Sequence, residues 1–187
     1  MATLNKKVGD ATRPDGEGSK PIIVAHVCND EGRWGSGFVL AVNKRWGEGP
    51  KAAYQAWHGG YLSQLEPGGY NINLGEYTDF WLGGCQLVHV PNRIAIANMV
   101  GQQGIVGDDP TGRPPVRYGA LGKAMEWLRL QCRVYADNHG VLPEIHCPMF
   151  GAGLAGGNWE VIEDMIQEIW VDPMMGNIDV TVYEFGG

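Results

Sequence analysis

Apolar residues come along this chain in two kinds of run, and the two alternate. Residues 22–28 (IIVAHVC), 84–90 (GCQLVHV), 93–100 (RIAIANMV) and 144–150 (EIHCPMF) are short and nearly continuous, as in strands covered on both faces. Residues 3–8 read as a first strand ended by Gly9 and Asp10. Residues 178–185 alternate through Ile178, Val180 and Val182 as a terminal strand. Elsewhere the period lengthens. Residues 118–138 repeat apolar groups at Leu121, Met125, Leu128, Cys132 and Tyr135, the spacing of an amphipathic helix, and His139-Gly140 closes it. Residues 38–46 fit a helix stopped by Gly47, and Pro50 opens another through Trp57. Asn158 caps a helix from Trp159 to about Trp170.

Turn chemistry separates these runs. Pro91-Asn92 stands between two strands and predicts a hairpin. Residues 13–21 and 101–115 are Gly/Pro-rich loops. Residues 59–83 carry Gly, Pro, Asn and aromatics without a period and read as an irregular insertion. Helices alternating with apolar strands define an α/β class with a mostly parallel or mixed sheet, and 187 residues fit a single domain.

Composition narrows the partners. The formal net charge of −7 disfavours a nucleic-acid surface, while a small anion remains within reach of backbone N–H groups. Cys28, Cys85, Cys132 and Cys147 form no CxxC pair and sit in apolar surroundings, so they read as reduced core thiols without a metal. No cofactor is expected. Residues 1–10 are polar with no apolar signal core, and no run approaches a membrane span, so a cytoplasmic protein is expected.

Two glycine-rich loops follow two buried strands: NDEGRWGSG after Cys28, and FGAGLAGGN after Met149. In open α/β sheets ligands bind beyond the carboxyl ends of the strands, and loops of this kind present N–H groups to phosphates. Neither is a P-loop, and GAGLAG lacks the acidic partner of a dinucleotide fingerprint.

With VGDAT, IIVAHVCND, WGSGF, ANMVGQQGI, PMFGAGLAGGNW and VTVYEF in this order over nearly the whole chain, the sequence resembles the macro domains, ADP-ribose-binding proteins of three-layer α/β/α fold with a mixed central sheet. The HVCN…WGSGF form is similar to the branch of ADP-ribose-1''-phosphate phosphatases and terminal ADP-ribose glycohydrolases. The resemblance implies that Asp10, followed by Ala11, accepts from the adenine amino group, and that Asn29 faces the distal ribose. Gly35, Ser36, Gly37 and Phe38 would surround the distal ribose and diphosphate. Gly151, Ala152, Gly153, Leu154 and Ala155 would hold the phosphates, and Tyr183 would lie near the adenine.

The chain also departs from the family's hydrolases. The lysine of one class would fall at Gly101 or Gln102, and its aspartate at Ala155; the aspartate of another class is replaced by Val39. His26, Asn29 and Gln102 remain as candidate catalytic groups near the distal ribose. The expected activity is hydrolysis at C1'' of an ADP-ribose derivative, ADP-ribose-1''-phosphate first. The alternative is a non-catalytic reader of ADP-ribose or of a NAD-derived nucleotide. Nucleic acid would enter only as an ADP-ribosylated substrate. Trp34 suggests a ligand contact or loop anchor, Trp159 and Phe150 suggest packing, and His146 has no assignable direction.

Overall fold

A computed structural model describes residues 1–62 and 73–184. Its strands are β1 (Leu4–Val8), β2 (Ile22–Asn29), β3 (Asn73–Tyr77), β4 (Cys85–Val90), β5 (Ile94–Gln102), β6 (Glu144–Pro148) and β7 (Val180–Glu184). The helices are α1 (Phe38–Trp46), α2 (Gly49–Gly59), α3 (Tyr118–His139) and α4 (Trp159–Ile166). The strands form one seven-stranded sheet in the order β1-β7-β6-β2-β5-β4-β3. From β1 to β5 the neighbours are parallel, while β4 and β3 add antiparallel pairs at one edge. The carboxyl ends of β1, β7, β6, β2 and β5 therefore share one rim of the sheet.

The apolar runs explain the layers. Ile23 and Ala25 of β2 and Ala95, Ala97 and Met99 of β5 pack against Leu121, Leu128 and Ile162, which places α3 and α4 on one face. Alternate residues turn the other way: Cys28, Ile96 and Val100 meet Val42, Tyr54 and Trp57 of α1 and α2. The period of two along a doubly covered strand thus feeds two separate cores. The sheet with helices on both faces is the expected α/β/α arrangement, and the expected hairpin is the antiparallel β4–β5 pair. All four cysteines are free and buried.

Several boundaries differ from the expected ones, each for a local reason. The strand expected to reach residue 150 stops at Pro148, beyond which the Phe150 N–H turns back to the Pro148 carbonyl at 2.7 Å. The last helix changes at Ile166 into a π-helical turn, Gln167–Val171. In that turn Trp170 is fully buried and its indole N–H donates to the Met125 carbonyl at 3.0 Å. The stretch 59–83 is not wholly irregular: it contains the edge strand β3, paired only with β4. An edge strand with one partner needs no continuous apolar run, so it left little signal. The terminal strand begins at Val180. Residues 63–72 of the expected insertion, and Phe185, lie outside the described residues.

Candidate functional site

The two glycine-rich loops leave the same rim, one from β2 into α1 and one from β6 towards α4. They face each other across a cavity of about 560 Å³. Gly35, Ser36, Gly37, Phe38 and Val39 form one wall, and Gly151, Gly153, Leu154 and Ala155 the other. Gln102, Ile105 and Val106 contribute from the loop after β5. α1 begins without a side-chain cap, at Gly37 with φ 77° and ψ −147°. Only glycine adopts that backbone readily, and it brings the chain into the first turn of α1.

Backbone donors are the main polar resource of this cavity. Among the described residues, no protein acceptor serves the N–H groups of residues 35–39 or of residues 151–155. The nearest bonds belong to flanking groups: Leu40 N–H to the Gly37 carbonyl, Gly156 N–H to the Gly153 carbonyl, and Gly157 N–H to the Gly151 carbonyl. N–H groups without a protein acceptor must be met by water or a ligand. Two such loops on either side of a cavity suit the oxygens of a phosphate or diphosphate. Among the described residues, Arg33 is the one charged side chain on the cavity wall. Its Nε lies 2.8 Å from Glu31 and its Nη1 lies 3.7 Å from Asp108. Among the described residues no three His, Cys, Asp or Glu gather as metal ligands would.

His26, the expected base, lines the cavity but is tied into a chain of buried side-chain hydrogen bonds. It is 1% exposed, and burial pushes its pKa down to about 4, so it is neutral at pH 7. Its Nε2 lies 2.6 Å from Asn98 Oδ1. Asn98 Nδ2 donates to Gln86 Oε1 at 3.0 Å, and Gln86 Nε2 donates to the Ala53 carbonyl at 3.0 Å. A carbonyl can only accept, so the chain has one direction, and His26 must donate through Nε2. Its Nδ1 then faces the Cys28 sulfur at 3.8 Å. His26, Asn98 and Gln86 are in register across β2, β5 and β4. Strand pairing alone could have exposed this ladder, but only after the register was known.

Asn29 lines the cavity, yet its amide organises the loop instead of reaching outward. Its Oδ1 accepts from the N–H groups of Glu31 and Arg33, both at 3.0 Å, and its Nδ2 donates to the Arg33 carbonyl at 2.7 Å. Tyr54 hydroxyl donates to the Asn29 carbonyl. Trp34 is the anchor of the same loop: it is buried, its indole N–H donates to Asn43 at 3.0 Å, and its ring packs on His26 and Tyr54. Gln102 lines the cavity and its amide makes no side-chain hydrogen bond among the described residues, which leaves it available.

The expected adenine-end residues do not line this cavity, although Tyr183 pairs in the sheet with Pro148, which does. Asp10 Oδ1 accepts from the Thr12 N–H at 2.9 Å and the Thr12 hydroxyl at 2.8 Å, so it closes its own turn. Ala11 is buried. Tyr183, expected near the adenine, has its ring buried in the protein. It is 3% exposed, its hydroxyl accepts from the Asp15 N–H at 3.0 Å and lies 2.9 Å from His146 Nδ1, and Lys7 sits 5.5 Å above the ring. His146 thus points to Tyr183 and away from the glycine loops. Ala152 belongs to the second loop but does not line the cavity. Phe150 and Trp159 pack edge to face at 6.3 Å, as expected. Ile105, the last residue of the ANMVGQQGI stretch, and Val106 beside it also line the cavity, though no role was assigned to either from the sequence, where they are an apolar pair inside a Gly/Pro/Asp loop.

A mixed sheet between helices, with two donor-rich glycine loops on one rim, places the chain in the class of three-layer α/β/α proteins. No family model matches the chain, and no curated protein does. Solved structures do. A protein of unknown function from Bacteroides thetaiotaomicron is 37% identical, with 98% of each chain covered and a TM-score of 0.75. A macrodomain protein from Streptomyces coelicolor is 36% identical over 98% of this chain and 100% of its own, with a TM-score of 0.70. The macrodomain of Oceanobacillus iheyensis, solved with ADP, is 16% identical over 99% of this chain and 84% of its own, with a TM-score of 0.65, a likeness of fold. The chain belongs to the macrodomain family. Among the described residues, no helix is long and apolar enough to cross a membrane.

Proposed function

We propose that this protein binds ADP-ribose, or a molecule carrying it, and works as a binding module. The observation that carries this reading is the facing pair of glycine loops, whose N–H groups at residues 35–39 and 151–155 have no protein acceptor. A diphosphate between them would take charge-assisted hydrogen bonds from both sides. A cavity of about 560 Å³ is of the size that small-molecule sites occupy. The ADP held by the Oceanobacillus iheyensis macrodomain supports the same ligand class.

Hydrolysis at C1'' is the second reading, and the available amide of Gln102 favours it, since an amide can hold a water in place. It is the weaker of the two. The family's lysine and aspartates are absent from the corresponding positions, and His26, though on the cavity wall, is a weak base with its pKa pushed down to about 4 by burial and its Nε2 committed to Asn98. Calorimetry with ADP-ribose, beside chromatography of ADP-ribose-1''-phosphate incubated with the protein, separates the readings. We expect saturable heat and no released phosphate. Phosphate release that disappears in Gln102→Ala would overturn the binding-module reading in favour of hydrolysis. No heat with either compound would overturn both.

A further inference from the structure

Behind the second glycine loop lies another concavity, of about 640 Å³. It is lined by the cations Arg113, Arg117 and Lys123 and by the apolar groups Leu82 and Pro114, and no carboxylate lines it. In a chain of net charge −7 this concentration of positive charge is out of character. The cations are not all engaged. Arg117 is pinned, with Nε donating to Gln103 at 3.0 Å and Nη1 donating to the carbonyls of Pro115 at 3.2 Å and Val116 at 3.0 Å. Arg113 and Lys123 make no ion pair or side-chain hydrogen bond among the described residues. Asp109, in the same loop as Arg113, turns its Oδ1 back on the Thr111 N–H and hydroxyl, and these bonds together with the charges of Arg113 and Arg117 hold its carboxyl below the ordinary range, so it balances part of the groove's charge without pairing with either arginine.

The groove shares a wall with the glycine-loop cavity. Val116 is bridged to Gln102, its N–H donates to the Ala155 carbonyl at 3.1 Å, and Gly156 lies against Pro114. Gln102 and Ala155 face the first cavity, while Val116 and Gly156 face the groove. A chain leaving the first cavity over this wall passes directly onto Arg113 and Lys123.

Resting on the reading that the first cavity holds ADP-ribose, we propose that the groove receives an acidic polypeptide segment next to an ADP-ribosylated residue. The ligand class is then an ADP-ribosylated protein whose modified site is flanked by Asp or Glu. Two available cations beside an apolar floor match a short acidic peptide. A nucleic-acid strand presents a phosphate charge every few ångströms along its whole length and needs a longer run of cations than this groove offers, whereas a short acidic segment brings only one or two charges to it.

The test uses the full chain and four probes: free ADP-ribose, a labelled peptide with ADP-ribose on one serine flanked by glutamates, the same peptide with glutamines, and an ADP-ribosylated single-stranded oligonucleotide. Exposed ion pairs are individually weak, so we expect the glutamate peptide to bind roughly three- to tenfold tighter than the glutamine peptide at low salt. That ratio should shrink as salt is raised. The double variant Arg113→Glu, Lys123→Glu should bring the ratio to about one or below while leaving the affinity for free ADP-ribose unchanged. Equal binding of the two peptides to the unmodified protein, or a preference that survives in the double variant, overturns the proposal. So does an oligonucleotide that outbinds the glutamate peptide. Failure to bind free ADP-ribose overturns the parent reading as well, whereas loss of the peptide preference alone leaves that reading standing.

Discussion

Glycines of the two loops divide into those that leave room and those that bend the chain, and substitution should tell them apart. A Cβ added at Gly35 or Gly153 would meet nothing within 4 Å, neither residue has a positive φ, and both line the cavity. Gly37 (φ 77°) and Gly151 (φ 76°) differ: a Cβ at Gly151 would approach Ile162 Cδ1 to 2.8 Å, and the Gly37 backbone is one that other residues avoid. Gly35→Leu and Gly153→Leu should therefore fold normally and fill the ligand's space. A leucine that displaces the diphosphate from two N–H groups removes two hydrogen bonds to a charged acceptor, about 1.5–3 kcal/mol each. The sum, about 3–6 kcal/mol, is a loss of at least ~100-fold in affinity for ADP-ribose. Stability should move by no more than about 0.5 kcal/mol, or ~1–2 °C for a chain of this length. Gly37→Ala should show the opposite balance, with backbone strain of about 2 kcal/mol lowering the midpoint by ~4–8 °C. Thermal unfolding and calorimetry on the same samples read both quantities. If either leucine variant keeps its affinity within about threefold, the ligand does not pass close to these backbones and the proposed geometry is wrong.

Two further outcomes follow from buried titratable groups. Burial holds His26 near pKa 4 in the folded chain, against an ordinary value of 6.5, so the unfolded chain binds the extra proton first as pH falls. Stability should be undiminished above about pH 6.5 and decline towards pH 4 by on the order of 3 kcal/mol, a decline that His26→Gln should largely remove in urea titrations. Burial also raises the pKa of all four thiols, with Cys132 pushed up to about 12, so a thiol reagent at pH 8 should label the denatured protein and leave the native one almost untouched.

How much of this was legible beforehand depends on the range of the interaction. α1 begins and ends at the residues that the local pattern predicts, and α3 runs one residue further, because glycines and apolar period are local signals. The glycine loops could be placed at one rim because a parallel sheet puts all its carboxyl ends there. The surroundings of His26 were hidden because its partner is 72 positions away and appears only when β2 and β5 are aligned. Those of Tyr183 were hidden for the same reason: its hydroxyl is taken by Asp15, 168 positions away, in a loop with no pattern to reveal the bond. The basic groove was invisible because it joins the turn before β4, the loop before α3 and the end of the second glycine loop.

The proposed recognition through main-chain amides has a consequence for how this protein would tolerate change. An alanine scan would walk past much of the cavity, since truncating Ser36, Phe38 or Leu154 deletes no N–H. Only proline erases a donor, and only a bulky replacement of Gly35 or Gly153 screens one. Because a peptide N–H has no protonation step near neutral pH, the cradle itself stays fully armed in acid as long as the sheet beneath it holds together. On that reading affinity is inherited with the path of the chain, so side-chain identities in these loops could drift widely while the ligand stays the same.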